Sequence, residues 1–167
     1  LRGEAAASYG AYAARYDRHI LYLKRFGVIL MIDAFRAKEG IEVAYEWNAH
    51  SFYRFSWDEQ QRRFSVQTTD IDGDAKTKRF AGVDGWMLHD FTSFCTARSD
   101  WDAPPSATLS NPTWPDQFHL KYSTGMLVNK LLLPVLLVPK ADTLREVLVE
   151  REAGRVLVSQ GDGKCEI

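Results

Sequence analysis

The sequence predicts an all-β fold, an antiparallel β-sandwich, and three observations carry that prediction. Over Tyr16 to Arg25 the chain alternates, with Tyr16, Arg18, Ile20, Tyr22 and Lys24 on one side and Asp17, His19, Leu21, Leu23 and Arg25 on the other. That period of two is the mark of a half-buried strand. Apolar segments of strand length then recur along the chain, separated by turn signals such as Phe26-Gly27 and Lys38-Glu39-Gly40. A sustained helical period is almost absent, and no internal repeat is visible.

In chain order, Leu1 to Ser8 is a lead-in whose alanines suit a short helical turn. Ser8 to Phe26 is a long strand, bent near Ala13-Ala14. Val28 to Arg36 opens with Val28-Ile29-Leu30-Met31-Ile32, apolar on both faces, which suits a central strand covered on both sides. Ile41 to Ser51 returns, so the three segments are expected to form a meander. Phe52 to Ser56 continues as strand, residues 57–61 turn, and Phe64 to Thr69 alternates again. Asp70 to Asp74 is a loop, and Gly85 to Phe94 reads as one strand. Ser99 to Asp116 holds four prolines and fits no regular element. Gln117 to Ser123 resumes the alternation. Met126 to Val138 is an apolar strand in which Pro134 marks an edge or a bulge. Pro139 to Asp142 is a turn. Leu144 to Glu150 and Arg155 to Ser159 form a hairpin, and Lys164 to Ile167 follows a glycine turn. The expected core is Ile20, Leu21, Leu23, Val28, Leu30, Ile32, Val43, Tyr45, Trp47, Leu132, Val135 and Leu137.

The length of 167 residues fits one domain, 1–167, large enough to bury a core. Hydrophobic residues make up 46% and charged residues 26%, ordinary values for a globular protein. Lys and Arg number 21 against 22 Asp and Glu. That balance lacks the basic excess of a nucleic-acid binder, so no nucleic-acid partner is expected. The longest apolar run, Leu131 to Val138, is too short to span a bilayer, so no membrane span is expected. Cys95 and Cys165 are two cysteines, which is not a disulfide framework; separate thiols are the simpler reading. The chain opens on Leu1 rather than Met, in keeping with processing or with a piece of something longer.

Four histidines, His19, His50, His89 and His119, sit in or beside predicted strands without metal-ligand spacing. Asp33 and His50 end strands that the meander would pair, which is the placement a structural metal or an acid/base pair would need. The structural reading, His50 as a strand-end group bonded to backbone, outranks it. No other cofactor is expected. Asp70, Asp72 and Asp74 surround Gly73 in the wrong order for a calcium loop. No Gly-x-Ser-x-Gly elbow and no phosphate loop is present. Aromatics are the better functional candidates. Trp101 and Trp114 lie in the proline-rich segment, and a flat aromatic beside polar groups is how a sugar ring is held. The competing reading is that they pin the loop to the body. An acidic polymer would need a local basic groove, for which Arg54, Arg62, Arg63 and Arg79 are the candidates.

Several stretches resemble the C-terminal β-sandwich domain of heparinase II/III-like polysaccharide lyases. They are Arg18-His19-Ile20-Leu21-Tyr22-Leu23, then Ile29-Leu30-Met31-Ile32-Asp33, then Trp47-Asn48-Ala49-His50-Ser51, and further on Ser123 to Asn129 with Leu132-Leu133-Pro134. The resemblance implies a full-length bacterial protein that degrades uronate-containing polysaccharide by β-elimination, exported to the periplasm or secreted. It implies two partners, the acidic polysaccharide and an N-terminal helical toroid of the same protein. In that family the catalytic tyrosine and most of the apparatus lie on the toroid, and a His-Asn motif near the start of the β region contributes. This chain has no toroid, and its His50-Ser51 is not that motif. No catalytic residue is therefore transferred, and the chain alone is expected not to be a lyase. The alternatives are a stand-alone carbohydrate-binding sandwich and a structural domain.

Overall fold

The computed structural model describes residues 1–68, 81–89, 93–98, 118–141, 144, 146–152 and 155–167. It is all-β and antiparallel, as the alternation predicts. Among the described residues there are thirteen strands and one 3-10 turn, Ala6–Tyr9, which lies between the first two strands: β1 Arg2–Glu4, β2 Ala13–Leu23, β3 Val28–Ala37, β4 Glu46–Ser51, β5 Phe55–Asp58, β6 Arg63–Gln67, β7 Ala81–Met87, β8 Ser93–Arg98, β9 Phe118–Thr124, β10 Lys130–Ala141, β11 Leu148–Glu152, β12 Arg155–Gln160 and β13 Gly163–Glu166. A seven-stranded sheet runs in the order β1-β2-β3-β10-β7-β6-β5. Two three-stranded sheets, β4-β9-β8 and β11-β12-β13, complete the fold.

The large sheet is the middle layer. On its inner face Met31, Phe35, Leu133 and Val135 pack against Trp47, Leu120 and Tyr122 of the β4-β9-β8 sheet. On its outer face Val28, Trp86, Leu136 and Val138 pack against Val156 and Val158 of the β11-β12-β13 sheet. Strand β3 therefore carries apolar side chains on both faces, and Val28, Leu30 and Met31 are all buried. The predicted bend in β2 is a register shift between Ala13 and Arg15.

The third segment of the expected meander is corrected. Strand β3 pairs with β2 and β10, and β4 pairs with β9 in the opposite sheet. Only an isolated bridge, Val43 to Val128, marks the crossing. Pro134 is not at an edge either, since β10 lies between β3 and β7. Successive residues of a strand present their amide groups to opposite neighbours. The Pro134 carbonyl accepts from Leu88, just past the end of β7, so the missing donor falls at the last rung of that ladder, where only one bond is lost. Pro139 continues the strand instead of turning it, opposite Val83 and beyond the last β3 pair, Leu137 with Ile29. Gly85 to Phe94 divides into β7 and β8, which lie in different sheets. Of the expected core, Leu21 and Leu132 are exposed, at 45% and 61%. They sit on the outer face, opposite Leu30 and Ala34, on the half that the β11-β12-β13 sheet does not reach. The hairpin of β11 and β12 forms as expected. Cys165 is a free, half-buried thiol.

Candidate functional site: a tyrosine cleft over a buried ion pair

The register of β2 on β3 sets Arg18 directly opposite Asp33, both on the inner face. The Asp33 carboxylate is fully buried. Arg18 holds it in a fork, Nε to Oδ1 and Nη2 to Oδ2, each at 2.6 Å. Such bidentate charge-assisted bonds fix orientation as well as charge. Tyr45, in the crossing segment before β4, donates its hydroxyl to Asp33 Oδ2 at 2.7 Å. The Tyr16 and Tyr45 hydroxyls lie 3.0 Å apart, and Arg18 Nη2 donates to the Tyr16 oxygen at 3.2 Å. Burial, and then the Asp33 charge, pushes the Tyr45 hydroxyl well above the usual phenol range. Burial pushes Tyr16 up as well. The Asp33 bond raises Arg18 further. Both phenols are thus held neutral as hydrogen-bond donors.

Above this network a cleft of about 410 Å³ runs along the edge strand β4. Tyr9, Tyr12, Tyr16, Phe35, Val43 and Tyr45 are the apolar and aromatic part of its lining, and Ala44, Glu46 and Asn48 complete it. Tyr9 and Tyr12 are more than half exposed, at 52% and 58%. Tyr9 meets Tyr16 edge-on with ring centroids 5.5 Å apart, and Tyr16 meets Tyr45 at 6.1 Å. Flat rings beside a few polar groups can hold a pyranose by its apolar face and hydroxyls. Sequence reasoning missed this site. Its signal was present: an aspartate at an inward position of an apolar strand, opposite an inward arginine and two residues from Tyr16.

The expected site residues are distributed otherwise. Asp33 and His50 are not brought together. Trp47 and Ala49 are the inward residues of β4, and His50 stands exposed on its other face. There it stacks on His119 with ring centroids 4.3 Å apart, and His119 Nε2 lies 2.9 Å from Asn48 Oδ1. Both oxygens of Asp33 are engaged by Arg18 and Tyr45, so the residues do not fit a metal there. Among the described residues no group of three or more His, Cys, Asp or Glu is placed to hold one. His89 is buried and bonded to Tyr122. Arg54 is exposed, over the Phe118 ring at 5.6 Å. Arg62 donates to the His89 carbonyl, which Arg151 also reaches, so it fastens backbone. Arg63 lines a cavity with Val147, Leu148 and Val149 and is bonded to buried Asp84 at 2.5 Å, as is Lys140 at 2.5 Å. Trp101, Trp114 and Arg79 lie outside the described residues.

Among the described residues no helix is long and apolar enough to cross a membrane. No family model matches the sequence, and neither does any curated protein. Solved structures do resemble the fold. The heparan sulfate lyase HepC from Pedobacter heparinus superposes with a TM-score of 0.57 at 8% identity, covering 93% of this chain and 24% of that one. A mutant of the same enzyme gives 0.56 at 8% identity with the same coverage. The chain thus spans about a quarter of the length of the lyase it resembles. At that identity the likeness concerns the fold, which is that of a domain within a larger lyase.

Proposed function

We propose that this chain is the C-terminal β-sandwich domain of a heparinase II/III-like protein whose full-length form degrades uronate-containing polysaccharide by β-elimination. The observation that carries the reading is the fold likeness, which runs over 93% of the chain and maps to one part of a heparan sulfate lyase. The tyrosine cleft is the sugar-facing feature in this reading. β-Elimination needs a base for the proton beside the carboxylate, a group that neutralises that carboxylate, and a donor to the leaving oxygen. The cleft offers donors, the neutral phenols of Tyr16 and Tyr45. Arg18 is already committed to Asp33, and Asp33 has no oxygen left for a proton on carbon. The proposal assigns the base and the carboxylate clamp to a helical toroid of the same exported protein.

The test is ultraviolet absorbance of the unsaturated uronate product, on heparan sulfate, alginate, hyaluronan and chondroitin. The isolated chain should form none, and the full-length parent should form it on at least one substrate. Steady product from the isolated chain would place the catalytic groups on the sandwich. An inactive parent whose sandwich still binds sugar would favour a non-catalytic carbohydrate-binding module, the reading that the tyrosine cleft supports by itself. In that binding assay Tyr12→Ala, an exposed position with little to lose in stability, should weaken oligosaccharide affinity roughly 5- to 30-fold, the loss of one stacking aromatic worth about 1–2 kcal/mol.

A further inference from the structure

The outer face of the large sheet carries a row of cations that the composition does not foreshadow. Arg15 is directly opposite Arg36, and Arg36 is directly opposite Lys130. Three positive side chains thus stand abreast on β2, β3 and β10. Facing side chains in such pairs are roughly 5 Å apart at Cβ, and like charges so placed destabilise a sheet. Arg2 joins them from β1. It shares the buried Asp17 with Arg15, through Nη2 to Oδ1 at 2.8 Å and Nε to the same oxygen at 3.1 Å. Asp17 is spoken for by these two. Arg36 and Lys130, both exposed, have no side-chain ion pair or hydrogen bond among the described residues. Glu4, opposite Asp17 on β1, is engaged as well, since its Oε1 accepts from the Ala6 amide at 2.7 Å. The row therefore holds four cations against two engaged carboxylates, in a chain whose net charge is −1. A groove of about 750 Å³ adjoins it, and Arg36, Lys38, Lys130 and Leu127 line it together with Glu39 and Glu42.

We infer that this row is a binding surface for the acidic polysaccharide, separate from the tyrosine cleft on the inner face. The inference rests on the polysaccharide reading for the identity of the polyanion. A cross-strand row of repelling cations lowers the stability of the sheet and raises the local potential, which is the exchange a polyanion site makes. Neighbouring strands are about 4.8 Å apart, so the row spans about 10 Å. That length suits successive anionic groups along a linear polysaccharide. The surface reads charge and not sugar-ring shape, since the flat aromatics lie on the other face.

The experiment compares the chain with the double variant Arg36→Gln and Lys130→Gln. Binding is measured by calorimetry at low salt with heparin, hyaluronan, dextran and duplex DNA, alongside thermal unfolding. Heparin or hyaluronan affinity should fall at least tenfold, with a shallower salt dependence, while Tm holds or rises because the repulsion is relieved. Dextran should not bind this surface. Unchanged polyanion affinity in the double variant would overturn the inference, as would an equal loss of dextran binding in that variant. Duplex DNA bound more tightly than either polysaccharide would replace it with a nucleic-acid surface. The parent's lyase assay is decided separately. Product formation by a parent whose sandwich binds no polyanion would sink this surface alone, and an inactive parent with the surface intact would sink the lyase reading alone.

Discussion

Arg18 and Asp33 illustrate how much one register pair decides. A carboxylate with no exposed surface is tolerable only with its charge compensated and its lone pairs bonded. Replacing Arg18 by alanine leaves Asp33 buried with Tyr45 as its strongest remaining donor. The loss should be about 3 kcal/mol, the low end for a broken buried pair, because Arg18 itself keeps part of its surface in water. A double-mutant cycle in urea checks the cause: Arg18→Met with Asp33→Asn should cost clearly less than the two single changes together. Asp17 offers a different measurement. Its bonds from Arg2 and then Arg15 hold its carboxyl below the usual aspartate range. A lowered folded value means the contribution is complete above the unfolded value near 4 and is lost as pH falls through the folded one. Asp17→Asn should therefore be less stable than the native chain at neutral pH, and the two unfolding midpoints should converge below about pH 4. A gap that persisted into acid would show that the pair contributes through packing instead.

At the scale of elements, strands with a period of two were legible and their partners were not. The β2–β3 hairpin could be read because its alternation, its turn at Gly27 (φ 66°) and its apolar return are all local. Strand β4 could not, because nothing near Ile41 to Tyr45 says that the chain changes layer; that is decided by Tyr45 bonding into Asp33 and Trp47 entering the inner core. Pro134 was misjudged because a proline's tolerance depends on where a distant partner ends. The same dependence hid the tyrosine cleft, which joins Tyr9 and Tyr12 to Tyr45 from the far side of a hairpin. Two variants test the packing of these elements. Leu30 is buried on the outer face of β3, so Leu30→Ala should cost about 2–5 kcal/mol in a denaturant midpoint measurement. Gly85 is the close contact of the β6–β7 pair: a Cβ there would lie 2.1 Å from the Phe64 ring. Gly85→Ala should destabilise by about 1–3 kcal/mol by forcing that ring aside, and Phe64→Leu in the same chain should recover part of the loss.

The whole molecule is three layers, and the third layer raises the question of whether the last twenty residues are an appendage or part of the core. Among the described residues the strands β11, β12 and β13 pair only with one another, so no backbone ladder there joins them to the large sheet. Three short strands are marginal without a face to pack on. What joins them is the outer cluster, where Val28, Leu136, Val138 and Trp86 are closed off by Val156 and Val158, together with Arg151 of β11, which donates to the Met87 and His89 carbonyls. Burying side chains of that size contributes about 1.5–3 kcal/mol each, so the four on the large sheet are worth about 6–12 kcal/mol together. That is comparable to the whole stability of a typical domain, about 5–15 kcal/mol. The docking is also close at its far end, where a Cβ on Gly163 would lie 3.0 Å from the Arg25 guanidinium at the β2–β3 turn. A chain ending at residue 141 should therefore fail to fold cooperatively, bind a hydrophobic dye, and lose dispersion of the Trp86 and Val138 resonances. If it unfolded instead with an unchanged midpoint and slope, the terminal sheet would be a separable satellite, and the two-sided burial of β3 would owe nothing to it.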